Sequence, residues 1–476
     1  MNAPCAQHHS LNAPENLGDP TTFQRLLEDE AVPVPDFLRP APPAGLGDAD
    51  LAVSRYFSAD FHKQEMDRMW PRVWQFVARD EAIPHAGDHV VHDIGDRSLI
   101  VMRGDDGVVR AFANSCLHRG IALRPTGGNV EQLRCPFHGF TWDLAGAMKS
   151  LPCAWDFKHF GRDRQDLPQV RVETWAGFIF INFDKNAAPL VDWLGVLPEH
   201  CADYGLERAT TIVHVRKRIP CNWKLAQEAF FESFHVRATH PHILTFTDDV
   251  DSQYDLYGDN LARCITPMSI ASPNLDGVTQ TEVMHDCIAA SGRMADGNGD
   301  AHTLPEGMSA RQYVGEMNRA AYAAASGVDL SHATLAELQD AILYSVFPHF
   351  QIWAGYFGNI IYRAMPDGHD PESCIYDVMV LGRHKAHEPR PAAVPVHWLS
   401  DDEPFSLAPE LGALGPVLDQ DMRNLPHMTR GLKASLTGVV TLASYQELRI
   451  RAHHHTLDKY LAGQAVSARL PRLTEL

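Results

Sequence analysis

Positive charge is scarce in this 476-residue chain: 41 Lys and Arg stand against 60 Asp and Glu, a net charge of −19. Such a surface repels phosphate backbones and anionic headgroups, which argues against nucleic-acid binding and charge-driven membrane association. Long apolar runs are missing too. Stretches such as Ala176 to Phe183 fall far short of the roughly 20 residues that span a bilayer. The opening Met-Asn-Ala-Pro-Cys-Ala-Gln-His-His has neither a charged n-region nor an apolar h-region, so a cytoplasmic location is expected. There is no phosphate loop, dinucleotide fingerprint or H-E-x-x-H, which argues against nucleotide binding by this chain and against a zinc peptidase of that type. No internal repeat occurs. The nine cysteines are odd in number and dispersed, which does not make a disulfide framework. Only Cys116 and Cys135 have metal-like company. The other seven, Cys5 among them, read as small buried hydrophobes or bystanders.

What remains is an ordinary globular composition, 45% hydrophobic and 21% charged, of a length that suggests two domains. Residues 1–50 are broken by Pro33, Pro35, Pro40, Pro42 and Pro43 and are expected to form an extended arm. Phe57 to Trp70 has roughly helical apolar spacing and leads into a strand at Trp74 to Val77. From His89 to Phe183 short β-type runs alternate with turn signals, so 51–185 is expected to be a small all-β domain with an N-terminal helical segment. Residues 186–476 read as α+β on an antiparallel sheet. Helices are expected near Trp223 to His240, Leu335 to Leu343, Leu418 to Leu432 and Ser444 to Leu461. Strands are expected at Ser345 to Trp353, Phe357 to Ala364 and Ile375 to Leu381. The Gly, Asp and Asn content of Asp251 to Ser309 predicts long loops or a lid. His453-His-His455 reads as a solvated or interface face, and Phe347, Phe350, Ile352 and Phe357 as core.

Two constellations carry chemistry. The first is Cys116-Leu-His118-Arg-Gly and, after sixteen intervening residues from His118, Cys135-Pro-Phe-His138-Gly. Each loop delivers one thiolate and one imidazole, the distribution that a Rieske [2Fe-2S] cluster needs to place both Cys on one iron and both His on the other. Common zinc fingers group like ligands together, yet a Cys2His2 set also suits structural zinc, and that alternative stands. The second is Glu228-Ala-Phe-Phe-Glu232-Ser-Phe-His235, followed by His240-Pro241. On one helix Glu228, Glu232 and His235 would share a face, but His240 would sit about 140 degrees from His235. Both imidazoles reach one metal only if the helix ends or bends between them, and Pro241 favours such a break. A 2-His-1-carboxylate iron site then needs an anionic ligand from elsewhere in the chain.

Together these motifs resemble those of the Rieske non-haem iron oxygenases, the aromatic-ring-hydroxylating dioxygenase α subunits. The resemblance implies a Rieske β-domain joined to a helix-grip-like catalytic domain. It implies a [2Fe-2S] cluster on Cys116, His118, Cys135 and His138, and mononuclear Fe(II) on His235, His240 and a carboxylate from a late helix. In Asp419-Gln-Asp421, Asp421 is the better match and Asp419 the fallback. Glu232 would couple His235 to a neighbouring subunit's His138 in a head-to-tail homotrimer, with or without β subunits. NAD(P)H would be oxidised by a separate reductase, with or without a ferredoxin. O2 would then be used to mono- or cis-dihydroxylate an organic, expectedly aromatic, substrate. A quaternary-ammonium or N-demethylating monooxygenase is the alternative. A Rieske electron carrier and a zinc-stabilised binding protein are alternatives of another class. The chain departs from many relatives at Ala229, where they carry Asn, and at Phe234, where they carry Tyr.

Overall fold

Antiparallel pairing dominates the architecture. The computed structural model describes residues 22–42, 45–291, 302–356, 358–385 and 387–467; Cys5 and Phe357 lie outside them. Seven strands form the first sheet: β1 (Gln75–Arg79), β2 (Asp88–Ile94), β3 (Arg97–Arg103), β4 (Val109–Ala113), β5 (Gly128–Asn129), β9 (Gln169–Trp175) and β10 (Phe178–Asn182). Their spatial order is β1-β10-β9-β4-β3-β2-β5. A three-stranded sheet of β6 (Leu133–Arg134), β7 (Thr141–Trp142) and β8 (Met148–Ser150) rises beside it.

The second half is built on eight strands: β11 (Thr210–Ile219), β12 (Gln253–Leu256), β13 (Leu261–Thr266), β14 (Ala341–Val346), β15 (Phe350–Ala354), β16 (Ile360–Asp367), β17 (Asp370–Gly382) and β18 (His397–Leu399). They run in the order β12-β13-β14-β15-β16-β17-β11-β18, and only the β11/β18 pair is parallel. Besides short helices at Thr22–Leu26, Leu190–Leu194 and Leu197–His200, the first of which falls within the segment expected to be extended, the helices are α1 (Ala59–Gln64), α2 (Trp223–Glu228), α3 (Val236–Thr239), α4 (Gln280–Ser291), α5 (Ala310–Ser326), α6 (Leu335–Gln339), α7 (Leu414–Ala434) and α8 (Leu448–Ala462). No described helix is long and apolar enough to cross a membrane.

Several expectations are corrected here. Asp251 to Ser309 holds β12, β13 and α4 rather than loops alone. Every residue of β12 and β13 is buried, and their charges are hidden as a pair, Asp255 with Arg263 at 2.5 Å. The helix expected to reach Leu343 stops at Gln339. Its Thr334–Glu337 capping box starts it, and Ile342 and Leu343 are claimed by the sheet. The single strand expected at Ser345 to Trp353 is two strands turning at Phe347-Pro348. Phe347, Phe350 and Ile352 are core. His453 and His454 are buried, not solvated, and only His455 of that tract is exposed.

Buried polar bonds tie the halves together. Arg363 on β16 donates to the carbonyls of Phe76 (3.0 Å) and Val77 (2.6 Å) on β1, and to Asp377 at 2.8 and 3.0 Å. Burial alone would raise the Asp377 carboxyl, but Arg216 and Arg363 hold it well below the usual range. Phe76 packs 5.0 Å from Phe350, and burial of such a ring contributes roughly 1.5–3 kcal/mol. The segment around α1 binds the second half through Lys224 and Glu65, which meet at 2.5 Å with no exposure on either side chain.

A second clasp joins Tyr56, Glu228 and His454. The Tyr56 hydroxyl donates to Glu228 at 3.0 Å, and His454 Nε2 lies 2.9 Å from the other carboxylate oxygen. Burial pushes the Glu228 carboxyl up to about 7, against the opposing pull of Tyr56, Lys224 and Arg55. A carboxyl raised above its ordinary 4.5 contributes stability that is full below that value and lost as pH rises through about 7. Glu228→Gln is therefore expected to gain stability over the parent at roughly pH 8 and to lose that advantage by roughly pH 5. Denaturation midpoints at the two pH values check this; an equal shift at both would contradict it.

Candidate metal centres

The two Cys-x-His and Cys-x-x-His loops are built alike. Gly120 N–H donates to the Cys116 carbonyl and Gly139 N–H to the Cys135 carbonyl, at 2.9 and 3.2 Å. Both glycines take left-handed backbone, φ 76° and 79°, which an L side chain resists. The loops thereby fold back on themselves, and the two imidazoles become neighbours, as do the two thiols. His118 Nδ1 and His138 Nδ1 are 3.1 Å apart. The thiols are buried, against Phe140 and Trp142, while His138 and Phe137 are exposed at the tip.

Backbone N–H groups point at both sulfurs. Burial pushes the Cys116 thiol up, opposed by the N–H groups of His118 and Arg119. For Cys135 burial is outweighed by the N–H groups of His138, Phe137 and Gly139 together with the Cys116 thiol, so it falls below the ordinary value. Two thiolates cradled by amides beside two paired imidazoles fit the donor demand of a Rieske cluster.

The second centre depends on where α2 ends. Asn222 caps its start by accepting from Lys224 N–H at 3.1 Å, and the helix stops at Glu228. The expected helical stretch to His240 is therefore corrected: residues 229–235 form turns and bends, and α3 begins after His235. Glu228 consequently turns away to Tyr56 and does not share a face with Glu232. His240, just before Pro241, takes φ −126° and ψ 49°, outside the α region as the proline demands.

The departure at His240, at the end of the single turn α3, together with Asp421 arriving on α7, leaves His235, His240 and Asp421 with ligand atoms within 4.8 Å of one another. Asp421 Oδ1 lies 2.9 Å from His240 Nε2 and 3.6 Å from His235 Nε2. Asp419 faces elsewhere: it accepts from the N–H groups of Phe405 (2.6 Å) and Ser406 (3.1 Å). The outer nitrogen of each imidazole is also engaged. His235 Nδ1 lies 2.8 Å from Glu232, which accepts the His235 backbone N–H at 2.9 Å as well. His240 Nδ1 lies 2.6 Å from Gln420 Oε1. Burial opposes charge on His235, but Glu232 and then Asp421 outweigh it and push the imidazole up.

Gln420 is a residue beside the site that sequence reasoning did not single out. It stands beside Asp421, and only the packing of α7 against His240 gives that position meaning. Oriented outer nitrogens are worth about 10–100-fold in metal affinity. Gln420→Ala should weaken Co(II) uptake at this triad by about that factor, read by equilibrium dialysis. Unchanged uptake would remove Gln420 from the site.

Comparison with known proteins follows the same division of the chain. Residues 73–161 match the Rieske [2Fe-2S] domain, and residues 202–463 match the ring hydroxylating alpha subunit (catalytic domain). The chain is similar to the biphenyl 2,3-dioxygenase α subunit of Rhodococcus jostii, 32% identical over 194 residues, 40% of this chain and 42% of that one. It is 29% identical to the glycine betaine monooxygenase oxygenase subunit of Pseudomonas aeruginosa over 245 residues, 47% of this chain and 56% of that one. The chain thus spans about half of these relatives' length or less. Among solved structures the fold resembles the quaternary ammonium Rieske monooxygenase CntA, with TM-score 0.60, 16% identity and coverage of 87% of this chain and 96% of that one. It also resembles naphthalene 1,2-dioxygenase from Rhodococcus sp., with TM-score 0.58, 18% identity and coverage of 87% and 95%. The catalytic-domain match takes in more than half of the chain, and the chain belongs to the ring-hydroxylating α-subunit family, with a Rieske domain preceding the catalytic domain.

Proposed function

We propose that this chain is a terminal oxygenase component that uses O2 and electrons from an NAD(P)H-dependent reductase or ferredoxin to hydroxylate a small organic substrate. The observation that carries the reading is that one chain holds both donor sets, the amide-cradled Cys2His2 loops and the buried His235, His240 and Asp421. Arm 1–50, Rieske domain 51–185 and catalytic domain 186–476 are its proposed divisions.

Cys116, Cys135, His118 and His138 would hold the cluster, and His235, His240 and Asp421 the iron. When bound, the cluster supplies single electrons and the iron supplies O2 activation at open coordination positions. The chain's own residues prepare for this. Glu232 and Gln420 hold the two imidazoles with Nε2 directed at Asp421, and burial of Asp421 and His240 keeps bulk water from the triad. Glu232 bonds His235 within the chain, and the exposed His138 at the tip is free to meet a neighbour's Glu232 in a head-to-tail trimer. The carboxylate would then join two imidazoles across the subunit boundary.

An aromatic ring is the favoured substrate, because the dioxygenase relatives act on biphenyl and benzene. The second reading, quaternary-ammonium monooxygenation, is favoured by the longer alignment with the glycine betaine enzyme and by Glu at position 232. Turnover of a panel of arenes and trimethylammonium compounds with a surrogate reductase separates the two.

The metal assignment is tested by a pair of variants. Cys135→Ser should lose the cluster's colour and sulfide, since a hydroxyl replaces a thiolate. Asp421→Ala should keep sulfide and lose about one iron per chain, since only neutral imidazoles remain. Retained iron in the second variant would move the ligand elsewhere. Glu232→Gln should keep both metals and slow single-turnover product formation from a pre-reduced cluster, by about 10–100-fold for a lost outer-sphere carboxylate. An ordinary rate would end the bridging role.

A further inference from the structure

Behind the linker that joins α2 to His235 lies a group of buried polar side chains to which none of the roles above applies. Where α2 stops, the carbonyls of Phe230 and Phe231 lose the amide partners that a continuing helix would supply. Arg449 on α8, only 1% exposed, takes their place. Its Nη1 donates to Phe231 O at 3.0 Å and to Phe230 O at 3.4 Å. Its guanidinium also lies 5.1 Å from the Phe231 ring centroid.

The remaining donors of Arg449, Nε and Nη2, are buried with no nitrogen or oxygen acceptor, and the Cys264 thiol is the sulfur beside the guanidinium. Arg449 lines a cavity of about 20 Å³ with Gln227, Asn260, Ser345, Phe347 and His453. Gln227 Oε1, Asn260 Oδ1 and His453 Nε2 are likewise buried and unpartnered. Such a volume takes a water molecule, and a mixture of donors and acceptors is what a bound water satisfies. Phe231, whose carbonyl Arg449 holds, is the residue immediately before Glu232, so the guanidinium anchors the backbone next to the carboxylate that holds His235.

We propose that Arg449 is the positioning residue of the metal-binding segment. Through the two carbonyls and a water in the cavity it fixes the non-helical linker that delivers Glu232 to His235. The proposal rests on the reading that His235, His240 and Asp421 hold the mononuclear metal. A guanidinium is needed because its planar fork serves two carbonyls and the cavity at once, whereas an ammonium is a point charge.

The test is Co(II) binding to protein freed of its mononuclear iron, with the cluster left oxidised and EPR-silent, followed by high-spin Co(II) EPR. Arg449→Met should weaken Co(II) binding by about 10–100-fold, the range for outer-sphere partners, and broaden the EPR signal, with cluster absorbance unchanged. Arg449→Lys, which keeps the charge and one donor, should restore part of the affinity; it also serves if the Met variant does not fold. Wild-type uptake with the same affinity and spectrum in the variants overturns the proposal, even if their melting temperatures fall. Failure of the wild type itself to bind Co(II) overturns the metal-site reading and this proposal together.

Discussion

A helix carried unbroken from Trp223 to His240 would set His235 and His240 about 140 degrees apart, and no single ion could touch both. The catalytic half depends on avoiding that geometry. The chain leaves the helix after Glu228, re-enters it at Val236 and leaves again before Pro241. Each exit strands backbone groups and needs a reason to be favoured. Glu228 finds Tyr56 and His454, the freed carbonyls find Arg449, and proline forbids the α region at His240. The site is thus specified by where helical structure is refused.

The partners that stabilise those refusals come from distant sequence. Tyr56 and Glu65 precede the first sheet, and Arg449 and His454 lie on the last helix, α8. Charged pairs fixed inside the protein perform the same service elsewhere: Lys224 with Glu65, Arg311 with Asp340, Arg263 with Asp255 and Arg363 with Asp377. Breaking one such pair leaves a buried charge alone, at about 3–5 kcal/mol. Replacing both members by apolar residues would be far less costly, so their value lies in fixing which elements meet. Arg363 makes the case: besides Asp377 it holds two carbonyls of β1, so the cluster-bearing half has one seat on the catalytic half.

What was legible in the sequence follows from this. The Cys and His loops were legible because ligand type, spacing and Gly120 and Gly139 are local properties. The need for a helix break near His240 was legible because rotation per residue is fixed and proline is restrictive. The earlier stop after Glu228 was not, since Ala229, Phe230 and Phe231 carry no breaker and that stop is imposed by tertiary partners. His453 and His454 misled because a polar tract on a helix normally faces water, and the packing of His454 on Glu228 and of His453 against Trp223, Phe231 and Phe347 reverses that. Strands β12 and β13 hid behind Asp255 and Arg263, whose charges are visible in sequence and whose pairing is not.

The two imidazoles at the candidate iron site end up chemically unequal. His235 has a carboxylate, Glu232, on its outer nitrogen, and His240 has a neutral amide, Gln420. Either acceptor selects the tautomer that leaves Nε2 free to bind metal. Only the carboxylate also adds negative charge to the ring and makes it the more basic donor. Glu232 is therefore placed to influence electron density on one side of the metal alone. A change in its surroundings, such as a neighbour's imidazole approaching the same carboxylate, would reach the metal through His235 and leave His240 as a fixed reference. That asymmetry between the two imidazoles arises from a single difference in acceptor charge.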